Sequence, residues 1–339
     1  MLRFVCLLAL LLPAAAPAKN LEIYFIDVEG GKSVLFVSPR GESLLFDVGW
    51  PASAARAAST DRIVEVARAA GLKRIDYLAI SHYDVDHVGD VAALLAKFPV
   101  GHILDHGEAQ TTNPQAQARF AAYAAARNAL PHTVVKAGDR LPLKGFDALA
   151  LTSAGARITK PAKNKGAGLR NPACDSAKQA EARPTDFEDD QSLGLLIRFG
   201  RFRMLDLADL EAHSSHELVC PANLIGTVDV YNVNVHGQFK GIAPQLTAAI
   251  QAPVMIQANG ARKGADAQTW PVLKAAPALR DIWQLHFSLN AGPGANPPDD
   301  FIANLEPADG FRWLHLSAAR NGSFTITNSR NGVSRRYRP

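Results

Sequence analysis

Cysteine is nearly absent: three of 339 residues, too few for a disulfide-built scaffold or a cysteine-built zinc module. Cys6 sits in the first apolar run, so Cys174 and Cys220 are the two to account for. They can pair only if the fold brings their Cα atoms close enough, which spacing alone does not show. Long apolar runs are missing as well. The longest, FVCLLALLL, is too short for a membrane span of about 20 residues. Preceded by Arg3 and followed by APA at 16–18, it has the pattern of a secretory signal peptide. Cleavage is expected after Ala18, giving an exported, periplasmic or secreted chain of residues 19–339 with no membrane span. Strong charge of one sign is lacking too: the net charge is +4, and +3 once Arg3 is removed. Bulk charge therefore gives no support for a nucleic-acid partner. The densest basic stretches, RITKPAKNK at 157–165 and SRRYR at 334–338, read as a solvated loop and a solvated tail. No repeat at fixed period is present, which excludes a solenoid.

What is present is ample core material, a hydrophobic fraction of 47%. LEIYFIDV, SVLFVSP and SLLFDVGW read as three short strands with Gly or Pro turns between them. DRIVEVARAAG (61–71) has helical spacing and a glycine stop; IDYLAIS is a strand, VAALLAKF (91–98) a helix, GHILDHG (101–107) a strand, and 115–129 an Ala-rich helix. Alternating strands and helices require helices to cover a sheet face, an α/β class. Residues 157–187 break the pattern with a long polar loop, of the kind often found as a lid or binding loop. Strands resume with SLGLLIRFG and FRMLDLADL, a hairpin turned at Gly200 and Arg201, then VDVYNVNVHG (228–237) and APVMIQANG (252–260). A helix near 268–276, the strand DIWQLHFS and a hairpin turned at Asn321 and Gly322 complete the chain as a single domain.

Metal-capable groups recur at strand ends: Asp47 after SLLF, His82, Asp84, Asp86 and His87 after DYLAIS, Asp209 after FRMLDL, and His236 after DVYNVNV. Ligands gather beyond the carboxyl ends of strands in layered α/β folds. Four such ends in one chain point to a metal site rather than to four polar loops.

With these motifs in order, the chain resembles the metallo-β-lactamase fold superfamily, and within it the ComEC/Rec2-related secreted metallohydrolases. The resemblance rests on FIDVEGGKSVLFVSPRGESLLFDVGW, the His-x-Asp-x-Asp-His run at 82–87, SLGLLIRFGRFRMLDLADL and DVYNVNVHG. It implies an αββα four-layer sandwich with two divalent ions, Zn²⁺ or Mn²⁺, at one edge. It further implies that His82 and Asp84 hold the first ion and that Asp86, His87 and His236 hold the second. Asp209 would bridge the two, and Asp47 would support the ligands from behind. The resemblance implies hydrolysis by metal-activated water, with Asp86 and Asp209 as the catalytic carboxylates.

Four positions depart from the superfamily's usual pattern. Asp84 stands where a histidine is usual, shifting preference toward harder ions. Ala208 precedes the bridging carboxylate where glycine is usual, and Asp206 is a second candidate. Val235 stands for the first histidine of His-His-Gly. FEDDQS replaces the third-motif histidine, so Asp189 is the favoured ligand there, with Asp190 as an option and His106 as an alternative ligand or substrate contact. Asn259 and His286 are candidate substrate contacts, whereas His102, His132, His213, His216 and His315 read as surface or structural. The expected substrate is a small-molecule phosphoester or phosphodiester. The alternatives are a lactam or lactone, and a metal-binding scaffold that has lost catalysis.

Overall fold

The computed structural model describes residues 20–53, 59–175, 188–292, 294–306 and 311–338. The expected signal peptide and residues 176–187 of the expected loop lie outside them.

In chain order the strands are β1 (Leu21–Ile26), β2 (Val34–Val37), β3 (Ser43–Phe46), β4 (Ile75–Ala79), β5 (Val100–Asp105), β6 (His132–Val134), β7 (Asp147–Ser153), β8 (Ala156–Arg157), β9 (Gly194–Phe199), β10 (Phe202–Asp206), β11 (Val230–Asn232), β12 (Val254–Gln257), β13 (Asp281–His286), β14 (Ile302–Asn304), β15 (Trp313–Ala318), β16 (Phe324–Asn328) and β17 (Ser334–Tyr337). The helices are α1 (Ser59–Ala69), α2 (Val85–Val88), α3 (Val91–Lys97), α4 (Pro114–Arg127), α5 (Ala212–Glu217), α6 (Pro244–Ile250) and α7 (Thr269–Lys274). One sheet runs β17-β16-β15-β1-β2-β3-β4-β5-β6 and the other β14-β13-β12-β11-β10-β9-β7-β8.

Alternation along the strands builds the layers, because successive side chains point to opposite faces. In β1, Leu21, Ile23 and Phe25 face the second sheet, meeting Leu195, Ile197, Phe202 and Met204 in the central core. Leu35 and Leu45 face the other way, onto Ile63 and Val66 of α1, Leu94 of α3 and Tyr123 of α4. On the far side Leu205, Tyr231 and Met255 meet Leu246 and Ile250 of α6 and Leu273 of α7. Helix, sheet, sheet and helix form the expected four-layer αββα sandwich.

Local signals explain the element ends. Asn113 caps α4, its side chain accepting from the amides of Gln115 and Ala116, and Pro114 opens the first turn. β3, β4 and β5 run parallel, as do β10 to β14, so the carboxyl ends of both groups meet at one pole.

Three expectations are corrected. The strand expected over 228–237 ends at Asn232, and Asn234–Gly237 is a 3-10 turn in which Val235 (φ 50°) and His236 (φ 55°) are left-handed. The tail SRRYR is not a free solvated tail: Ser334–Tyr337 pairs with β16 as the edge strand, Tyr337 buried, Arg335 reaching Asp281 and Arg336 exposed, a charged guard on an open edge. The described part of the 157–187 loop is tied down. Ala162 and Gly168 donate to the carbonyls of Leu224 and Asn223, and Cys174 forms a disulfide with Cys220.

Candidate metal centre

Asp47 leaves β3 in a left-handed conformation (φ 65°) and is wholly buried. Its carboxylate accepts from the Ser81 amide and hydroxyl (both 2.7 Å), from Lys32 Nζ (3.1 Å) and from His87 Nδ1 (2.9 Å). Burial alone would raise its pKa; Lys32 and His87 outweigh that and bring it down to about 2. These bonds settle the histidine tautomers. A carboxylate only accepts, so His87 Nδ1 carries the proton and Nε2 a lone pair. His236 Nδ1 lies 3.1 Å from the Ala258 carbonyl, with the same result. The Ser81 proton goes to Asp47, so Ser81 Oγ accepts from His82 Nδ1 at 3.0 Å. All three rings thus aim Nε2 inward, a lone pair on each when the ring is neutral.

Two of the three groups of metal-capable residues found among the described residues gather the expected donors, the third being Asp190, Glu211 and His213. Asp86, His87, Asp209 and His236 are all buried, with one ligand atom from each lying within 4.8 Å of the others. His236 Nε2 is 3.0 Å from Asp86 Oδ2 and 3.2 Å from Asp209 Oδ2, and His87 Nε2 is 3.3 Å from each carboxylate. Four acceptors turned on one point fit a cation. His82, Asp84 and Asp189 form the second set within the same limit. There His82 Nε2 is buried without a hydrogen-bond partner, 3.7 Å from Asp189 Oδ1, an orphaned acceptor that a second cation would satisfy.

The donors come from both sheets. His82, Asp84, Asp86 and His87 follow β4, whereas Asp189 precedes β9, Asp209 follows β10 and His236 follows β11. The sandwich closes the pocket by pressing these ends together. Burial would raise the pKa of Asp86 and Asp209, yet Lys263 and His87 hold Asp86 well below the carboxylate range, and His236 and His87 do the same for Asp209. Burial likewise disfavours a charged His87, but Asp209, Asp86 and Asp47 overcome it and raise its pKa well above the usual value.

Cations that the sequence reading passed over ring the centre. Lys263 contacts Asp86, Lys240 contacts Asp189 and lies 3.3 Å from Glu211, and Arg119 Nη2 is 3.1 Å from Asp84 Oδ1. Lys32, buried over the Phe46 ring, was also passed over.

Other expected contacts belong to neither of these two donor sets. His106 Nε2 bonds Glu188 Oε1 at 3.0 Å beside the Tyr83 ring. Asn259 donates to the carbonyls of Gly260 and His286. His286 Nε2 is 2.8 Å from Asp27 Oδ1. Asp190 is drawn instead to His213 Nε2 at 3.0 Å and the Ser214 hydroxyl at 2.9 Å. Asp206 Oδ2 receives the Asn232 amide at 3.0 Å and faces Lys32 at 3.5 Å.

Residues 27–162 match the sequence model of the metallo-beta-lactamase superfamily. No curated protein matches the chain. Among solved structures it is similar to CmlA, a diiron beta-hydroxylase from Streptomyces venezuelae, at 16% identity and a TM-score of 0.44, over 78% of this chain and 48% of that one. The chain thus spans about half the length of that hydroxylase. It is similar to the metallo-beta-lactamase fold protein YhfI from Bacillus subtilis at 12% identity and a TM-score of 0.44, over 78% and 96% of the two chains. It is also similar to Tm1679, a metal-dependent hydrolase of the beta-lactamase superfamily, at 16% identity and a TM-score of 0.44, over 80% and 98%. The sequence match supports the metallo-β-lactamase superfamily, and a metal-dependent hydrolase is consistent with it.

Proposed function

We propose that this chain is an exported, dinuclear metal-dependent hydrolase of phosphoesters or phosphodiesters, related to the ComEC-type hydrolases. The observation that carries the reading is the meeting of two donor sets, three inward Nε2 atoms and a ring of cations at one pole.

Asp86, His87, Asp209 and His236 would hold one ion, and His82, Asp84 and Asp189 the other, with Asp209 the candidate bridge. When bound, such ions supply Lewis acidity and a water that is nucleophilic at neutral pH. The chain does the rest. Asp47, Ser81 and the Ala258 carbonyl fix the imidazoles. Asp86 and Asp209, held far below the usual carboxylate pKa, are weak proton acceptors and act as anionic anchors that orient a nucleophile. Lys240, Lys263 and Arg119 carry the positive charge that a phosphoryl group needs and a neutral lactam does not.

The test is elemental analysis of untagged protein after separate reloading with Zn²⁺ and Mn²⁺, followed by assays with bis(p-nitrophenyl) phosphate, p-nitrophenyl phosphate and a lactam. About two ions per chain and faster phosphodiester turnover support the reading. Lactam turnover alone would move the substrate class. No bound ion in a folded chain would leave a scaffold without catalysis.

A further inference from the structure

The two basic stretches that the sequence left as loop and tail converge. Lys165 from the first and Arg338 from the second line one cleft with Arg201, Arg203 and Arg280. A neighbouring cleft carries five basic residues, among them Arg40, Arg198 and Arg320, and shares Arg203 with the first. Nine basic side chains therefore line the joined clefts against two lining carboxylates, Asp147 and Asp229. The whole chain carries only +4, so the charge is strongly polarised to this face.

The location follows from topology. Arg201 and Arg203 open β10, Asp229 precedes β11, Pro253 precedes β12 and Arg280 precedes β13. These strands run parallel to one another, so the clefts lie at their amino ends and the metal centre beyond their carboxyl ends. The two sites are separated by the length of a strand, roughly 17–20 Å. The hairpin turns close the pole: the Arg201 amide donates to the Arg320 carbonyl at 2.8 Å, which leaves no room for a side chain at Gly200.

Four of the nine charges are not spent within the protein. Asp147 is taken by Arg140 and Arg198. Among the described residues, Lys165, Arg201, Arg280 and Arg338 are exposed and have no ion pair within 4.0 Å. Arg203 is drawn down from its usual pKa by burial and by Arg198 beside it. Crowded like charges without partners favour an external anion.

We infer that this face binds the phosphodiester backbone of nucleic acid without reading bases. Neighbouring strands are spaced by about 4.8 Å, so Arg201 and Arg203 at the start of β10 lie roughly 14 Å from Arg280 at the start of β13, three strands away, a span suited to a chain of phosphates rather than one phosphate. None of the exposed large apolar residues, Val134, Leu169, Phe239 and Leu289, lines either cleft. That disfavours insertion into a bilayer. The lining aromatics Phe146, Phe199 and Phe324 are buried, which leaves no platform for base stacking. The inference stands apart from the hydrolase reading.

The experiment is fluorescence anisotropy of labelled mixed-sequence 20-mers, single- and double-stranded, titrated with the full chain in EDTA over a range of salt. The test variant is Arg201→Ala/Arg280→Ala/Arg338→Ala. Expected is sequence-independent binding that weakens steeply with salt. In the triple variant it should fall at least tenfold, with a log K against log[salt] slope shallower by about 2 for a single strand. Asp229→Asn should tighten binding. No binding at low salt, or unchanged binding in the triple variant, would overturn the inference. So would loss only in Lys240→Ala/Lys263→Ala, or preference for anionic vesicles or inorganic polyphosphate over the oligonucleotides. Thermal melting of the triple variant at the parental temperature confirms that the fold is retained.

Discussion

Nε2 of His87 and Nε2 of His236 lie 3.2 Å apart, although the opposite nitrogen of each ring already donates elsewhere. Two lone pairs at that distance repel unless something positive lies between them. In the metal-free chain a proton on His87 does this, favoured by Asp209, Asp86 and Asp47 against burial. In the loaded protein a divalent ion replaces it, so loading at neutral pH should release protons.

Removing single donors should divide the metal content. His236→Ala and His82→Ala are each expected to lose about one ion per chain, and Asp209→Ala to weaken both sites. All three should lose hydrolysis. His132→Ala should keep both ions, since its ring bonds Asp105 at 2.8 Å. Elemental analysis of the four proteins is the check, and full metal in His82→Ala would remove the first site from the scheme.

Asp47 is wholly buried and holds His87 and Ser81. Asp47→Asn should weaken metal binding by about 10–100-fold, measured by competition with a chromophoric chelator. It also strips Lys32 of its nearest counter-charge (3.1 Å), leaving Asp206 at 3.5 Å, so the melting temperature should fall. Adding Lys32→Met should restore the melting temperature without restoring affinity. Recovery of both would mean that Asp47 acts through stability alone.

Ala208 is held at φ 50°, a left-handed conformation that costs an L-residue about 1–2 kcal/mol. Ala208→Gly relieves that cost at the price of a more flexible unfolded chain. The net expectation is about 1 kcal/mol of added stability in urea unfolding with metal binding unchanged. A destabilised variant would show that the Ala208 methyl group, part of the central core, contributes more than the backbone strain.

Asp229 offers a pH test away from the metal centre. Burial raises its pKa from 3.8 to about 6, against the opposing pull of the Arg203 amide and the Arg203 and Arg201 side chains. A raised carboxyl favours folding while it is protonated, so its contribution is complete below about pH 3.8 and lost as the pH rises through about 6. Asp229→Asn should therefore equal the parent near pH 4 and exceed it at pH 8, by up to about 3 kcal/mol. Its amide oxygen can still accept from the Arg203 amide. Equal urea midpoints at pH 8 would contradict the burial cost.

Much of this was legible because it depends on local periodicity. The hairpin turns at Gly200–Arg201 and Asn321–Gly322, α1, α3 and α4, and the strand-end position of the donors follow from alternation and turn chemistry. The short, half-exposed β6 and the charged edge β17 did not, because pairing to a neighbour rather than their own composition makes them strands. His236 was legible as a residue but not as a left-handed one: the turn that aims it is set by Gly237, Gly241 and Gly264 packing tightly around it. Lys32, Lys240, Lys263 and Arg119 were missed for a simple reason. Nothing near them in sequence reveals that the fold brings them to carboxylates as much as 177 positions away.

Four of the donors follow β4 of one sheet and three flank β9, β10 and β11 of the other, an arrangement that would make each bound ion a rivet. A coordination bond across the seam would add to the apolar packing and the few polar contacts, His286 with Asp27 and Lys32 with Asp206 among them, that already join the two slabs, so the sandwich should tighten or loosen with the free-ion concentration around it. Amide exchange in the innermost strands, far from any ligand, would then act as a gauge of ion supply. A chelator would loosen the fold from that seam inward.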